Sequence, residues 1–208
     1  MMPLDFAVSA LVTLLVVVDP IGLVPAFIAM TTGLPLRARR QVAIRACTIA
    51  FCILVGSALI GDWLLKHLGI GLPAFRIAGG LLLFSIASEM VFGLRVEREA
   101  RTAEQAVHEH VRNIAAFPLA IPLLAGPGAI TAVILLAGRT RGDLLMLGGL
   151  LGVVVLVMAV SLLVFLLAGR IGKLLGVTGN VVTSRLLGVI LAALAVQFVI
   201  DGVREVWN

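Results

Sequence analysis

Six long apolar stretches, separated by short segments that carry most of the charged residues, run along the 208-residue chain. They cover about residues 4–30, 42–65, 72–94, 114–137, 143–169 and 182–203. None alternates between apolar and polar residues as a half-buried strand does, so the pattern predicts helices. Each is long enough for the roughly 20 residues that a helix needs to cross a bilayer. The pattern therefore predicts an all-α polytopic membrane protein with six transmembrane helices.

The composition supports a membrane protein. Apolar residues make up 61% of the chain and charged residues 13%, against roughly 45–50% and about 25% in soluble domains. A soluble domain of this length has too little interior to bury so many apolar side chains, which excludes a soluble enzyme. The net charge of +5 does not indicate a nucleic-acid partner, because the basic residues lie mainly between the apolar stretches. We therefore expect contact with membrane lipid and none with nucleic acid.

The basic residues also predict the orientation in the membrane. Eleven of the 16 Lys and Arg residues lie in or beside the odd-numbered loops, and five lie on the other side. Loops rich in Lys and Arg face the cytoplasm. This distribution predicts that both termini lie on the outer side.

The two halves of the chain resemble each other. Three pairs of matching residues are each 107 residues apart: Pro20 and Pro127, Lys66 and Lys173, Gly69 and Gly176. Two later pairs are 109 apart: Arg76 and Arg185, Gly79 and Gly188. Three spans per half would make the second half enter the membrane from the opposite side, which gives the inverted repeat of many secondary transporters. We expect a first repeat over residues 1–94, a charged cytoplasmic linker over 95–113 and a second repeat over 114–208.

Prolines and glycines interrupt the first helix of each predicted repeat. The first contains Asp19, Pro20, Gly22 and Pro25; the fourth contains Pro118, Pro122, Gly126, Pro127 and Gly128. Proline removes a backbone donor and crowds the preceding turn, and breaks at matching positions of two halves indicate a transport site. Free N–H groups at the start of a half-helix favour an anion. We expect the backbone at 128–130 to bind a substrate carboxylate, with the hydroxyl of Thr131 nearby; a proline kink that serves only helix packing is the alternative.

Asp19 is the most prominent acidic candidate. It lies roughly 22 Å along the first span, at about 1.5 Å per helical residue. A carboxylate at that depth is costly and so indicates function. It could pair with a substrate ammonium, bind a cation or carry a proton. The alternative is a helix cap, because Asp followed by Pro20 makes a good helix start.

Glu89 in the third helix is a second ion-coupling candidate, and Ser85 lies one turn before it on the same face; the alternative is an interfacial acid that snorkels or bonds to Ser85. Gln197 and Asp201 form a similar polar pair in the sixth helix. The coupling ion could be H⁺ or Na⁺, since an intramembrane carboxylate suits both. We expect no cofactor and no metal site.

Residues 95–112 form the longest polar segment and are expected to be a solvated linker. Glu97 and Arg101 have the spacing of an ion pair on an exposed helix. His108 and His110 would lie on different faces of such a helix, so they do not predict a metal site.

At these residues the chain resembles the MarC family of integral membrane proteins, which includes neutral amino acid transporters. The resemblance covers nearly the whole chain and is carried by residues 19–25, 74–80, 118–131 and 195–202. It implies six spans, outward termini, a prokaryotic cytoplasmic (inner) membrane and movement of small neutral amino acids such as alanine or glycine. One residue departs from the family pattern: Leu23 stands where the family usually has Asn, which could hydrogen-bond a polar substrate as Leu cannot.

These observations predict a secondary transporter of small neutral solutes that works by alternating access, with the direction left open. A non-transporting membrane scaffold or regulatory protein is the alternative, and it predicts that the two breaks line no cavity. An enzyme is not expected, because all three histidines fall at loops and no His-Glu-x-x-His sequence occurs. The sequence leaves the oligomeric state open, a homo-oligomer included.

Overall fold

A computed structural model describes the backbone of residues 4–108, 113–140 and 142–207, with the side chains of these residues other than 96, 97, 104–108 and 177. Eight helices and one irregular helical segment make up this part of the chain. The helices are α1 Leu4–Val18, α2 Val24–Thr31, α3 Leu36–His67, α4 Leu72–Phe92, α5 Leu94–His108, α6 Pro127–Arg139, α7 Leu144–Leu166 and α8 Ala168–Trp207; the irregular segment, Ala115–Leu124, precedes α6. The described residues contain no strand, which confirms the all-α prediction.

Among the described residues, four helical segments are long and apolar enough to span a membrane: α3, α4, α7 and the Thr178–Trp207 part of α8. The irregular segment and α6 could together form a fifth span, bent by 57°. The first apolar stretch contains no helix of spanning length, because α1 has only 15 residues. The structure thus contains four or five candidate spans where the sequence predicts six.

The expected interruption of the first stretch lies between α1 and α2. Asp19 has a φ of 48°, in the left-handed region that ends regular helix. Pro20 follows it and has no N–H to continue the backbone ladder. The Asp19 side chain accepts a hydrogen bond from the Gly22 N–H at 3.0 Å. Helical structure then resumes with α2, one turn further on.

The interruption before α6 has a similar origin. Phe117 and Ile121 adopt extended backbone angles, with φ, ψ of −136°, 126° and −125°, 122°. Each precedes a proline, whose ring disfavours the helical conformation of the residue before it. Gly126 is also extended, and Pro127 then occupies the first position of α6. The predicted break of the fourth helix is therefore present.

α4 and α8 pack closely against each other. A Cβ atom on Gly80 would lie 2.7 Å from the Ala195 carbonyl oxygen, and one on Gly188 would lie 2.8 Å from the Met90 Cβ. Small residues allow such close approach of two membrane helices. These glycines bring the backbones of α4 and α8 close together.

α5 is not the solvated linker that the sequence predicts. It contacts α2, α4 and the irregular segment, and Arg95, Glu99 and Ala103 are at most 5% exposed. These three residues lie one turn apart and form one face of the helix, while Arg98 and Arg101 are exposed on other faces. The prediction of a solvated segment is wrong on this face, because Arg95 and Glu99 have opposite charges and form an ion pair that can be buried. The side chains of Glu97, His108 and His110 lie outside the described part of the chain, so the predicted Glu97–Arg101 pair stays a prediction.

Candidate functional site

A cavity of about 290 Å³ lies where the end of α1 and the bend before α6 meet α4 and α5. Its lining combines apolar residues, three charged side chains and the bend before α6: Val17, Ile86, Arg95, Arg98, Glu99, Thr102, Pro122, Leu123, Gly126, Pro127, Gly128 and Ala129. Gly126, Pro127 and Gly128, all predicted from the sequence as substrate-binding residues, line this cavity. The scaffold alternative predicts that the two breaks line no cavity; the break before α6 lines this one, whereas residues 19–23 do not.

The start of α6 supplies backbone donors to the cavity. Gly126 is the residue before the first turn, Pro127 opens the helix, and no described side chain caps it. The next N–H groups, of Gly128 and Ala129, precede the first intrahelical hydrogen bond, which Ile130 donates to the Gly126 carbonyl at 3.0 Å. The unsatisfied N–H groups at a helix start carry partial positive charge. This part of the cavity therefore favours a negatively charged ligand group.

Glycine at position 128 lets Ile86 and Val17 pack closely against that helix start. A Cβ atom there would lie 2.5 Å from the Ile86 Cδ1 and 3.4 Å from the Val17 Cγ1. Any side chain at 128 would therefore either displace Ile86 or occupy part of the cavity.

A buried ion pair on α5 forms another part of the lining. The Arg95 Nε donates to the Glu99 Oε1 at 2.8 Å, and the two side chains are 7% and 5% exposed. Arg95 also donates through Nη1 to the Met90 Sδ at 3.2 Å and through Nη2 to the Val17 carbonyl at 3.4 Å. Its guanidinium thus connects α5 to both α4 and the end of α1.

The protonation of Glu99 depends on two opposing effects. Burial raises the pKa of Glu99, and the adjacent Arg95 guanidinium opposes this rise without cancelling it. Asp19 also acts on the pair: its negative charge favours the charged form of Arg95 and opposes ionisation of Glu99. Arg95, Glu99 and Asp19 therefore influence one another's charge, beside Arg98 as the second cation of the lining.

Asp19 lies beside the cavity and does not line it. It is 1% exposed, and its carboxylate faces the Gly22 N–H within the turn. A Cβ on Gly22 would collide with that carboxylate, and Pro20 is buried in the same turn. The Asp19 carboxylate caps this turn and not α2 itself, whose N-cap residue is Leu23 and which has no side-chain cap; Asp19 also interacts electrostatically with Arg95.

Thr131 and Glu89 also lie outside the lining. The Thr131 side chain is buried against Gly79 of α4, where a Cβ would meet its Cγ2. The Arg98 Nη1 lies 2.7 Å from the Glu89 Oε2 and donates to its Oε1 at 2.8 Å. Arg98 is itself part of the lining. Glu89 therefore reaches the cavity only through Arg98.

Ser85 and Gln197, the two secondary candidates, lie on exposed helix faces. Gln197 donates to the Asp201 Oδ1 at 2.7 Å, and Arg139 donates to the Asp201 Oδ2 at 3.1 Å. This polar group is separate from the cavity lining. Neither Ser85 nor Gln197 is brought to the bend before α6.

Sequence reasoning missed the charged residues of α5 that line the cavity. Arg95 and Glu99 are four residues apart, and Ala103 continues the same face. This spacing predicts an amphipathic helix that can pack through one side. The signal was present in the sequence, but the high local charge favoured a solvated segment.

Comparison with known proteins identifies the family. The sequence profile described as "MarC family integral membrane protein" matches residues 4–207. The chain belongs to the MarC family. This confirms the resemblance seen in the sequence.

MarC-family relatives align with almost the entire chain. A UPF0056 membrane protein of Methanocaldococcus jannaschii is 36% identical over 205 residues, covering 98% of each chain. One from Aquifex aeolicus is 37% identical, covering 95% of this chain and 92% of its own. The UPF0056 membrane protein YhcE of Escherichia coli is 32% identical, covering 93% and 90%. No solved structure matches the chain. The protein is thus a multi-pass integral membrane protein, and its relatives' names state no cargo.

Proposed function

We propose that this MarC-family protein is a secondary transporter of small neutral solutes, with neutral amino acids of the alanine and glycine type as its cargo. The observation that carries the proposal is the cavity in which the buried Arg95–Glu99 pair and the start of α6 contribute to one lining. A scaffold or regulatory protein needs no such cavity.

The charges of the cavity complement a zwitterion. A substrate carboxylate would accept hydrogen bonds from the Gly128 and Ala129 N–H groups and pair with Arg95. A substrate ammonium would pair with Glu99, with the charge of Asp19 nearby. A site for a simple anion would not need the two acids, and a site for a simple cation would not need the arginine and the helix start. A neutral amino acid uses both halves of the arrangement.

The size of the cavity favours a small cargo. Its volume of about 290 Å³ lies just below the roughly 300–1,000 Å³ typical of ligand pockets. Val17 and Ile86 would contact a short apolar side chain. Leu23, the departure from the family pattern, is fully buried at the start of α2 and does not line the cavity. Its apolar side chain is therefore compatible with an amino acid cargo.

The proposal includes six spans in two inverted repeats, with α1 and α2 together as the first span. Each half then has the same order: a broken helix, then two long helices. The close packing of α4 on α8, which would be equivalent helices, supports this arrangement. Rocking of one repeat against the other would expose the cavity alternately on each side of a prokaryotic cytoplasmic membrane, with both termini outside. H⁺ or Na⁺ would couple through Asp19, Glu89 or Glu99.

Counterflow in liposomes tests the proposal. Purified protein is reconstituted, and exchange of labelled alanine, glycine, serine and leucine is measured. We expect saturable exchange, fastest for alanine and glycine. No saturable exchange of any of the four by protein that is shown to be folded would contradict the proposal.

Variants test whether this cavity is the transport site. Arg95→Lys keeps the charge but loses the planar guanidinium fork that binds a carboxylate, so we expect the half-saturation concentration to rise about tenfold. Arg101→Lys makes the same chemical change at an exposed position of the same helix and is expected to have no effect. Gly128→Leu fills the cavity and should abolish exchange. If both Lys variants behave alike, or the Leu variant still transports, the cargo binds elsewhere. Asp19→Asn keeps a side chain that can cap the turn but removes the negative charge. Exchange should persist in this variant if Asp19 only caps, and should be lost if its charge is needed.

A further inference from the structure

Four basic side chains surround a groove on the predicted cytoplasmic side, away from the transport cavity. Arg39 and Arg40 at the start of α3, together with Arg170 and Lys173 at the start of α8, line a volume of about 580 Å³. No described carboxylate lies within ion-pair distance of any of the four. This groove therefore combines four positive charges that nothing in the described part of the chain neutralises.

A second, mainly apolar cavity of about 520 Å³ adjoins the groove and shares Arg39 and Lys173 with it. It lies between α2 and the first turns of α8. Val24, Ile28 and Leu175 are among its apolar lining residues. The two volumes together present a cationic entrance that leads into an apolar space.

A buried polar side chain lies in the apolar space. Asn180 is 4% exposed and lines the cavity, and its Nδ2 has no hydrogen-bond partner among the described residues. A buried donor without a partner costs stability, so a ligand that brings an oxygen acceptor would bind favourably there. Asn180 thus indicates a polar atom within an otherwise apolar ligand.

The surrounding chain is suited to the membrane surface. Leu174 is 89% exposed directly beside Lys173. An apolar side chain that protrudes next to basic ones is typical of a helix turn that lies in the lipid headgroup region. Gly176, with a φ of 59°, then separates this turn from the long apolar part of α8.

We propose that the groove and the apolar cavity together bind one anionic diacyl phospholipid. The phosphate pairs with the four cations, one acyl chain occupies the apolar cavity, and an oxygen of the glycerol backbone accepts the Asn180 N–H. Basic pockets between membrane helices on the cytoplasmic side bind anionic headgroups in this way. The site shares no lining residue with the transport cavity, so it stands independently of the proposed function.

Lipid binding to the detergent-purified protein tests the proposal by native mass spectrometry. Dioleoyl-phosphatidylglycerol is titrated against dioleoyl-phosphatidylcholine, and we expect at least tenfold tighter binding of the anionic lipid. Arg170→Gln with Lys173→Gln should weaken phosphatidylglycerol binding about 30-fold, from the typical contribution of each basic residue. The matched pair Arg37→Gln with Arg45→Gln removes two exposed charges at the start of the same α3, outside the groove, and should weaken binding less than about threefold. Equal losses in the two double variants would overturn the proposal in favour of a diffuse charge effect.

Asn180→Leu tests the apolar part of the site. Without lipid, we expect its Tm to be higher than that of the wild type, because the unpartnered donor is removed. The rise in Tm on adding phosphatidylglycerol should be smaller than in the wild type. A Tm lowered equally with and without lipid would assign Asn180 a purely structural role and contradict the proposal. Complete displacement of the lipid by millimolar inorganic phosphate or glycerol phosphate would show a site for a free phosphate group and would also contradict it.

Discussion

The buried ion pair on α5 makes the sharpest prediction about stability. Replacing Arg95 by Met removes the cation and leaves Glu99 buried without its partner. Breaking a buried pair on one side costs about 3–5 kcal/mol, which corresponds to a Tm lower by about 6–20 °C in a chain of this size. Replacing both residues, as Arg95→Met with Glu99→Leu, removes the unpaired charge and should recover most of the loss. The double variant should nevertheless not transport, because it lacks the two groups that would pair with the substrate carboxylate and ammonium.

Lys66 and Asp62 provide a matched control on α3. They have the same spacing of four residues and a distance of 2.6 Å, but their side chains are 73% and 46% exposed. Exposed pairs contribute about 0–1 kcal/mol, so Lys66→Met should lower the Tm by at most about 4 °C. The assay is thermal unfolding of the purified protein in detergent, followed by circular dichroism at about pH 8, for single and double variants of both pairs. Equal losses at the two pairs, or a double α5 variant as unstable as Arg95→Met alone, would refute the reasoning.

Three further predictions follow from Glu99, Gly22 and Gly56. Burial raises the pKa of Glu99 above its ordinary 4.5, so ionising Glu99 costs more free energy in the folded than in the unfolded state. The stability that protonated Glu99 contributes is therefore fully present below pH 4.5 and is lost as the pH rises through the pKa of the folded state. The Tm of the wild type relative to Glu99→Gln should therefore decrease from about pH 4 to about pH 8 in thermal scans, and an increase would contradict the burial effect. Gly22→Ala should lower the Tm and reduce the yield of folded protein, since its Cβ would collide with the Asp19 carboxylate; an unchanged Tm would show that the turn adapts. Gly56→Ala, in a part of α3 where a Cβ meets nothing within 4 Å, should instead stabilise by about 0.5–1 kcal/mol in the same measurement, and a lower Tm would argue against an open helix face there.

The sequence by itself determined the class of protein and the places where its helices break. Apolar stretches of about 20 residues can satisfy their backbone in lipid only as helices or closed barrels, and the lack of alternation favours helices. Prolines at 20, 118, 122 and 127 cannot continue a helical ladder wherever they occur. For this reason the interruptions at Asp19 and before α6 could be predicted without knowledge of any tertiary contact.

Only the tertiary structure decided which side chains meet at the bend before α6. Arg95 and Glu99 belong to a segment whose charge favours solvent, and their burial depends on packing of α5 against α2, α4 and the irregular segment. Thr131 has the chemistry of a substrate ligand, but it is buried against Gly79 instead. Local sequence determines where a helix ends, because proline and glycine act within one turn. Which face of that helix is buried depends on partners far away in the chain, so the composition of the cavity had to come from the fold.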